Sequence, residues 1–272
     1  MADSVRPAAE NPVAGAIDTS IPHSARFWNY WLGGKDNYPV DREIADQIAA
    51  EWPGLVDVAR TSRRFLIRAV EYLVVEAGVR QFLDVGTGLP TADNTHEVAQ
   101  RLDPTCRIVY VDNDPLVLTH ARALLTSTPE GATAYLDADL RDTDAIIAGA
   151  GEVLDLTQPV ALILMGVLGH VPEPEAAKDI VDRLMAKLPS GSYLVHYDGS
   201  DTSPGMVKAQ DSYNTSGAIP YFVRSPETIR GFHDGLELVE PGVVRVTDWR
   251  PRETDAEDVE AVDAFGGVGR KP

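Results

Sequence analysis

The candidate binding residues begin at a glycine turn that follows a short apolar segment, residues 81–85. Asp84 lies near the end of the segment, and Gly86, Thr87 and Gly88 form the turn. Glycine has no Cβ, so backbone at these positions can approach a ligand closely. A glycine turn between a strand and a helix is typical of a site that holds a nucleoside-containing ligand.

Acidic side chains also follow the next two predicted strands. Asp112 and Asn113 follow the second strand, and Asp139 and Leu140 follow the third. Because parallel strands bring their carboxyl ends to one edge of a sheet, we expect these residues to lie near the glycine turn. Asp112 is suited to accept both ribose hydroxyls. Asp139 is suited to accept from the adenine amino group, with the Leu140 N–H bonding the ring.

The spacing of the turn argues against two common nucleotide ligands. A nicotinamide fingerprint places a third glycine at position 91, where this chain has Thr91, and no Walker loop is present. S-adenosyl-L-methionine, which has adenine and ribose but no phosphate, fits the remaining pattern. A nicotinamide-dependent dehydrogenase stays open as an alternative, to be tested by the fluorescence of added NADH.

Strands and helices alternate between residues 61 and 250, which predicts a doubly wound, Rossmann-like α/β sheet. Thr61 or Ser62 is the expected N-cap of the first helix. At the far end, residues 236–240 and 243–249 predict two strands joined at Pro241-Gly242 as an antiparallel hairpin. The expected sheet has seven strands, with the last one antiparallel.

Composition shifts divide the chain into four parts. Residues 1–20 predict a flexible tail, and the aromatic-rich residues 21–60 predict an N-terminal helical cap or lid. Residues 61–250 form the main α/β domain, and residues 251–272 form an acidic, glycine-rich C-terminal extension.

The net charge of −18, from 42 acidic and 24 basic residues, argues against nucleic acid or a membrane surface as a partner. Cys106 is the single cysteine of the chain, so no internal disulfide can form and a cytoplasmic location is expected. His and Cys residues lack metal-ligand spacing, so no metal is expected.

Four segments, residues 83–88, 110–114, 137–142 and 162–171, resemble successive motifs of class I S-adenosylmethionine-dependent methyltransferases. More narrowly, the chain resembles a bacterial family of such enzymes long catalogued as a domain of unknown function. The similarity runs over residues 21–270 and includes Leu32-Gly33-Gly34-Lys35-Asp36-Asn37. The resemblance implies a seven-stranded Rossmann-like fold and methyl transfer, with no particular acceptor.

The chain departs from the common class I pattern at two positions. Pro90 stands where many of these enzymes have a further glycine, and Gly169 stands where many have the first histidine of a Leu-His-His loop. Pro90 suits the first turn of a helix, so we expect an altered loop rather than lost binding. These departures leave an alternative function, a protein that binds S-adenosylmethionine or S-adenosylhomocysteine without turnover.

Methyl transfer to an oxygen or nitrogen of a small-molecule acceptor often needs a general base. His170, after the fourth strand, and His196, in the fifth, are the candidate bases. Aromatic residues can line an acceptor pocket, and a lid after a Gly-Gly hinge can shield the methyl donor. The candidate acceptor residues are Tyr30, Tyr197 and Tyr213. The further candidate cofactor residues are Met165, at the end of the fourth strand, and Lys35 and Asn37, in the predicted lid.

Overall fold

The computed structural model describes residues 18–117, 119, 126–252 and 262–272. A single mixed sheet forms its centre, and its strands in chain order are β1 (Gln81–Val85), β2 (Arg107–Asp112), β3 (Ala132–Asp137), β4 (Ala161–Met165), β5 (Tyr193–Gly199), β6 (Glu237–Leu238), β7 (Val244–Arg245) and β8 (Ala264–Arg270). They lie in the order β3-β2-β1-β4-β5-β8-β6, with β7 also paired to β8. The first five strands are parallel, and β8 runs antiparallel to β5. The chain therefore has the Rossmann-like, doubly wound fold, in which the parallel strands bring their carboxyl ends to one edge.

Three helices precede the sheet. They are α1 (Ser24–Trp31), α2 (Pro39–Glu51) and α3 (Gly54–Val75). The predicted N-cap at Thr61 or Ser62 is wrong, because α3 runs without a break through both residues. Their hydroxyls donate to carbonyls of the preceding turn, at 2.6 Å to Asp57 and 3.0 Å to Ala59. The boundary predicted at residue 60 therefore falls inside a helix.

Strands and helices then alternate as the sequence predicts. The elements in chain order are β1 (Gln81–Val85), α4 (Thr95–Leu102), β2 (Arg107–Asp112), β3 (Ala132–Asp137), α5 (Thr143–Ala150), β4 (Ala161–Met165), α6 (Pro174–Ala186), β5 (Tyr193–Gly199), α7 (Pro204–Asn214) and α8 (Pro226–Gly231). Helix α4 begins at Thr95 because Asn94 and Glu97 form a capping box there. Pro90 therefore lies in the loop before α4 and not in its first turn.

The antiparallel part of the sheet differs from the predicted hairpin. Two short strands, β6 (Glu237–Leu238) and β7 (Val244–Arg245), pair side by side with different parts of β8 (Ala264–Arg270). The hairpin prediction is wrong, because both short strands lie along the same edge of β8 instead of pairing with each other. The last antiparallel strand is thus 264–270, the glycine-rich segment that the sequence placed in the C-terminal extension.

Two apolar cores cover the two faces of the sheet. One contains Phe82, Tyr110 and Tyr197, packed beneath α1 and α3. The other contains Leu83 and Leu194, packed against α5 and α6. Successive side chains in a strand point to opposite faces, so one step along β5 decides which core a side chain enters.

Several predicted features fall on residues outside the described part of the chain. These are most of the tail 1–20, residues 253–261 of the predicted C-terminal extension, and most of residues 115–125, where the alternation of strands and helices predicts a helix after the second strand. Within the described residues, none of the helices combines the length and the apolarity that a membrane span requires.

Candidate active site

A cavity of about 220 Å³ opens at the carboxyl edge of the parallel strands, beneath α1 and α3. The structure brings most of the predicted cofactor residues, one candidate base and one candidate acceptor residue to its wall. These are Asp84, Gly86, Thr87, Gly88, Asp112, Asn113, Asp139, Leu140, Met165, His170 and Tyr197.

The glycine turn needs the left-handed backbone that glycine tolerates. Gly86 and Gly88 have φ values of +75° and +66°. A Cβ on Gly86 would lie 2.3 Å from a methyl carbon of Val167, in the loop that follows β4. A side chain there would therefore force two neighbouring strand-end loops apart.

Asp112 at the end of β2 holds the turn in place. Its Oδ2 accepts from the backbone N–H of Gly88 at 2.8 Å, and its Oδ1 accepts from the N–H of Asp114 at 3.0 Å. Burial raises the pKa of Asp112, while these two hydrogen bonds act in the opposite direction. Each oxygen retains a lone pair, so the carboxylate can also accept two adjacent hydroxyls.

Asp139 and Asn113 form the exposed end of the cavity. Asn113 Nδ2 lies 3.5 Å from Asp139 Oδ2, and the backbone N–H of Arg141 donates to Asp139 Oδ1 at 2.8 Å. The Arg141 guanidinium also donates to the carbonyl of His170, at 3.2 Å. These contacts join the loop after β3 to the loop after β4.

The opposite end of the cavity lies beneath α3, where Asp84 is buried beside Arg63. The hydroxyl of Thr95 donates to Asp84 Oδ2 at 2.6 Å. Burial raises the pKa of Asp84 to about 6, although the Thr95 hydroxyl and the Arg63 guanidinium act in the opposite direction. Arg63 also donates to the hydroxyl of Thr91.

His170 has one ring nitrogen occupied. Its Nδ1 lies 2.9 Å from the carbonyl oxygen of Pro220, which can only accept, so Nδ1 carries the proton. Nε2 is then left with its lone pair. Burial lowers the pKa of His170, although the bond to Pro220 acts in the opposite direction. The imidazole is therefore neutral near pH 7 and can take up a proton.

Some of the predicted site residues lie elsewhere in the structure. His196 has no exposed surface and lies on the far face of the sheet, with ring centroids 5.3 Å from Phe232 and 5.6 Å from His233. Its neighbour Tyr197 faces the cavity, because side chains alternate along β5. His196 is thus absent from the described wall of the cavity.

The predicted N-terminal residues also lie outside that wall. The Tyr30 hydroxyl donates to Asp46 at 2.9 Å, and Lys35 is exposed. Asn37 contacts the wall through Asn29, whose Oδ1 accepts from Asn37 Nδ2 at 2.9 Å. Tyr213 lies in a smaller cavity next to the main one.

Several residues of the wall were not among the predicted ones. Arg63 lies with Ala59, Ser62 and Leu66 on one face of α3, and Asn29 comes from α1. A cationic side chain within an otherwise uncharged helical stripe was the signal available for Arg63. Asn29 carries no such signal, because its position depends on how the segment after α1 folds back.

The comparisons with known proteins agree with this arrangement. A model of the S-adenosyl methyltransferase family matches residues 10–272. The chain belongs to the S-adenosyl methyltransferase family. It is therefore an S-adenosylmethionine-dependent methyltransferase, and S-adenosyl-L-methionine is its cofactor.

Two solved structures are similar to this methyltransferase over nearly their whole length. A DUF574 family protein from Streptomyces avermitilis is 45% identical, with a TM-score of 0.90, and the match covers 94% of this chain and 100% of that one. A candidate methyltransferase from Thermobifida fusca is 39% identical, with a TM-score of 0.85 and coverage of 94% and 97%. None of the curated proteins matches the chain.

The chemistry of the wall fits the cofactor. S-adenosylmethionine combines an adenosine, a carboxylate and two cationic groups. The wall offers carboxylates at the ends of β2 and β3, a guanidinium from Arg63 and a buried carboxylate from Asp84. Among the described residues, no cluster of three or more metal-binding side chains is present.

Proposed function

We propose that the protein methylates an oxygen or nitrogen of a small-molecule acceptor, with His170 as the general base. The observation that carries the proposal is the hydrogen bond from His170 Nδ1 to the carbonyl of Pro220 at 2.9 Å. This bond leaves the Nε2 lone pair of His170 available, and His170 is a residue of the wall of the cavity that holds the cofactor residues.

We assign the adenosine end of the cofactor to the strand ends. Asp112 accepts from the two ribose hydroxyls, in the charge-assisted geometry that favours a diol. Asp139, with Asn113 and the N–H of Leu140, faces the adenine. The exposure of Asp139 supports this assignment, because the adenine then lies at the open end of the cavity.

The methionyl end then lies beneath α3. Among the residues that the structure describes at that end, Arg63 is cationic, and it is suited to pair with the methionyl carboxylate. Asp84 is suited to the methionyl ammonium, and a bound cation lowers the pKa of a nearby carboxyl group. Because the pKa of Asp84 lies near 6 without a ligand, cofactor binding is expected to release protons in mildly acidic buffer.

Bound S-adenosylmethionine supplies an electrophilic methyl group on a sulfonium. The protein must therefore align the acceptor, exclude water and accept one proton. The buried Tyr197 side chain and the helices α1 and α3 above the cavity exclude water, and His170 accepts the proton.

Calorimetric titration of the purified protein with S-adenosylmethionine tests the cofactor assignment, and labelled methyl transfer across a panel of alcohols, phenols and amines tests turnover. We expect binding, and labelled product from at least one panel member. Absence of binding to the folded protein would refute the proposal. Binding without transfer to any acceptor would favour a protein that holds the cofactor without turnover.

A further inference from the structure

A second, smaller cavity of about 40 Å³ adjoins the cofactor cavity. The two cavities share four wall residues, Ser24, Trp28, His170 and Tyr197. The candidate base therefore stands where they meet. We call the smaller cavity the arm subsite.

Three helices each turn one face toward the arm subsite. Residues spaced three, four or seven apart lie on the same side of a helix, and the contributing residues follow this spacing. They are Ser24, Trp28 and Trp31 of α1, Leu55 and Val58 of α3, and Met206, Gln210 and Tyr213 of α7. The subsite is therefore built by packed helices, with an aromatic and aliphatic wall.

Charge is absent from the described wall of the arm subsite, although the chain carries a net charge of −18. A carboxylate or ammonium group entering it would lose its hydration and meet no opposite charge, which is strongly unfavourable. Gln210 offers a neutral polar contact. Its Nε2 donates to Asn214 at 3.2 Å, and no described residue donates to its Oε1.

The lack of a side chain at Gly169 lets an aromatic ring of the wall pack beside His170. A Cβ on Gly169 would lie 2.3 Å from ring atoms of Tyr221, so only glycine lets that ring pack there. The Tyr221 ring lies edge-on to His170, with centroids 5.2 Å apart. The glycine that replaces a histidine common in related loops thus admits a tyrosine to the subsite.

We propose that the arm subsite binds the uncharged apolar arm of the methyl acceptor and that the acceptor is a neutral phenol-type hydroxyl compound. The inference rests on the proposed function. The volume admits a few non-hydrogen atoms, since one water needs about 10–15 Å³ on the same measure. The arm is therefore a methyl-sized substituent, and the ring lies where the two cavities join.

A phenolic hydroxyl suits His170 better than an aliphatic one, because its pKa of about 10 lies closer to that of imidazole. The acceptor oxygen forms a bond to the methyl carbon as the bond from that carbon to sulfur breaks. The electron pair of the broken bond stays on sulfur, which leaves S-adenosylhomocysteine, and the hydroxyl proton passes to His170 Nε2.

The test compares two probes on the full chain loaded with S-adenosylhomocysteine. 4-Methylphenol and 4-hydroxybenzoate share the hydroxyl and the ring, but only the second carries a negative charge. We expect 4-methylphenol to bind, by calorimetry, about tenfold or more tightly than 4-hydroxybenzoate. Equal affinity, tighter binding of the anion or binding of neither probe would overturn the inference.

Two variants locate the binding. In Gly199→Ala the new Cβ would lie 2.8 Å from the terminal methyl of Met206, so this flexible side chain, which lines the subsite, must shift. We expect 4-methylphenol to bind about fivefold or more weakly, and the double variant Gly199→Ala/Met206→Ala to recover the affinity. Unchanged affinity in the single variant would overturn the assignment.

The affinity for S-adenosylhomocysteine tests the cofactor site separately from the arm subsite. We expect it to stay within about twofold in both variants, because Gly199 and Met206 lie outside the described wall of the cofactor cavity. Failure of the unmodified protein to bind S-adenosylhomocysteine would contradict the proposed function. Normal binding of it without phenol selectivity would contradict the arm subsite alone.

Discussion

Asn37 donates its side-chain amide to Asn29 Oδ1 over 2.9 Å, and the same oxygen accepts from the backbone N–H of Asp36, also at 2.9 Å. Asn37 is itself fixed by Arg42, which donates to its side-chain oxygen at 2.9 Å. With Oδ1 saturated in this way, no described residue accepts from Asn29 Nδ2. The segment after α1 thus orients an amide donor in the wall of the cofactor cavity.

Replacement of Asn29 by Asp should weaken cofactor binding selectively. We assign Asn29 to the methionyl end of the cavity, where the new carboxylate keeps the acceptor for Asn37 but loses the donor and adds a negative charge. We expect the affinity for S-adenosylmethionine to fall about tenfold or more, which is about 1.4 kcal/mol. The affinity for 5′-methylthioadenosine, which lacks the carboxylate, should change less than about twofold.

Gly34→Ala is the matched variant that leaves Asn29 unchanged. An added Cβ would lie 2.3 Å from Asn29 Nδ2, so the amide must shift. The same selective loss is expected, with a smaller effect on 5′-methylthioadenosine. Equal losses for both ligands in both variants would mean that Asn29 supports the fold and not the methionyl end.

Asp112→Ala should weaken S-adenosylmethionine binding by about 2 kcal/mol or more, because a charged acceptor of the ribose hydroxyls is lost. Calorimetry measures the change, and thermal unfolding shows that the variant is folded. Asp112→Asn serves as the control, since it keeps an acceptor for the Gly88 N–H and should bind with intermediate affinity. An affinity equal to that of the unmodified protein would refute the ribose assignment.

The carboxyl edge of the sheet was predictable because its signals are local. Asp84, Gly86 and Asp112 each follow an apolar run, and a parallel sheet brings such strand ends together whatever the loops do. The alternation of side chains along a strand was enough to predict which residues of that strand share a face. That alternation places Tyr197 and His196 on opposite faces, but sequence alone does not say which face holds the ligand.

The antiparallel strands and the N-terminal wall depend on contacts between distant parts of the chain. Pro241 and Gly242 suggested a local hairpin, yet residues 264–270 compete for both short strands and pair with each of them. Asn29 likewise owes its orientation to residues that fold back seven or eight positions later. Pairing of this kind is decided by tertiary packing, which overrides local turn preference.

His170→Gln should lower kcat by about 10²–10⁴-fold, the usual range for loss of a general base, and should leave cofactor affinity nearly unchanged. The base must be neutral, and burial lowers the pKa of His170 below 6.5. Activity of the unmodified protein should therefore persist as the pH falls to 6.5 and decline only below it. The rate of labelled methyl transfer, measured as a function of pH, shows this decline. If the midpoint of the decline lies above pH 6.5, His170 is excluded as the base.

His233 should make the fold sensitive to acid. Burial, reinforced by the charges of His196 and Arg230, lowers its pKa well below 6.5, and neither ring nitrogen has a described hydrogen-bond partner. The folded state therefore disfavours the protonated form. Its stability contribution is present above pH 6.5, the unfolded value, and is lost as the pH falls below it, by up to about 1.4 kcal/mol per pH unit.

Urea unfolding between pH 7 and pH 5 measures that loss. In His233→Leu the titrating group is gone, so the free energy of unfolding should fall less steeply over this range than in the unmodified protein. The remaining slope combines the losses from His96 and His170, whose pKa values burial also lowers, with an opposite contribution from Asp84, whose pKa burial raises to about 6. Parallel slopes in the two proteins would show that His233 takes up its proton without opening the core between β5 and α8, where the Phe232 ring packs against His196.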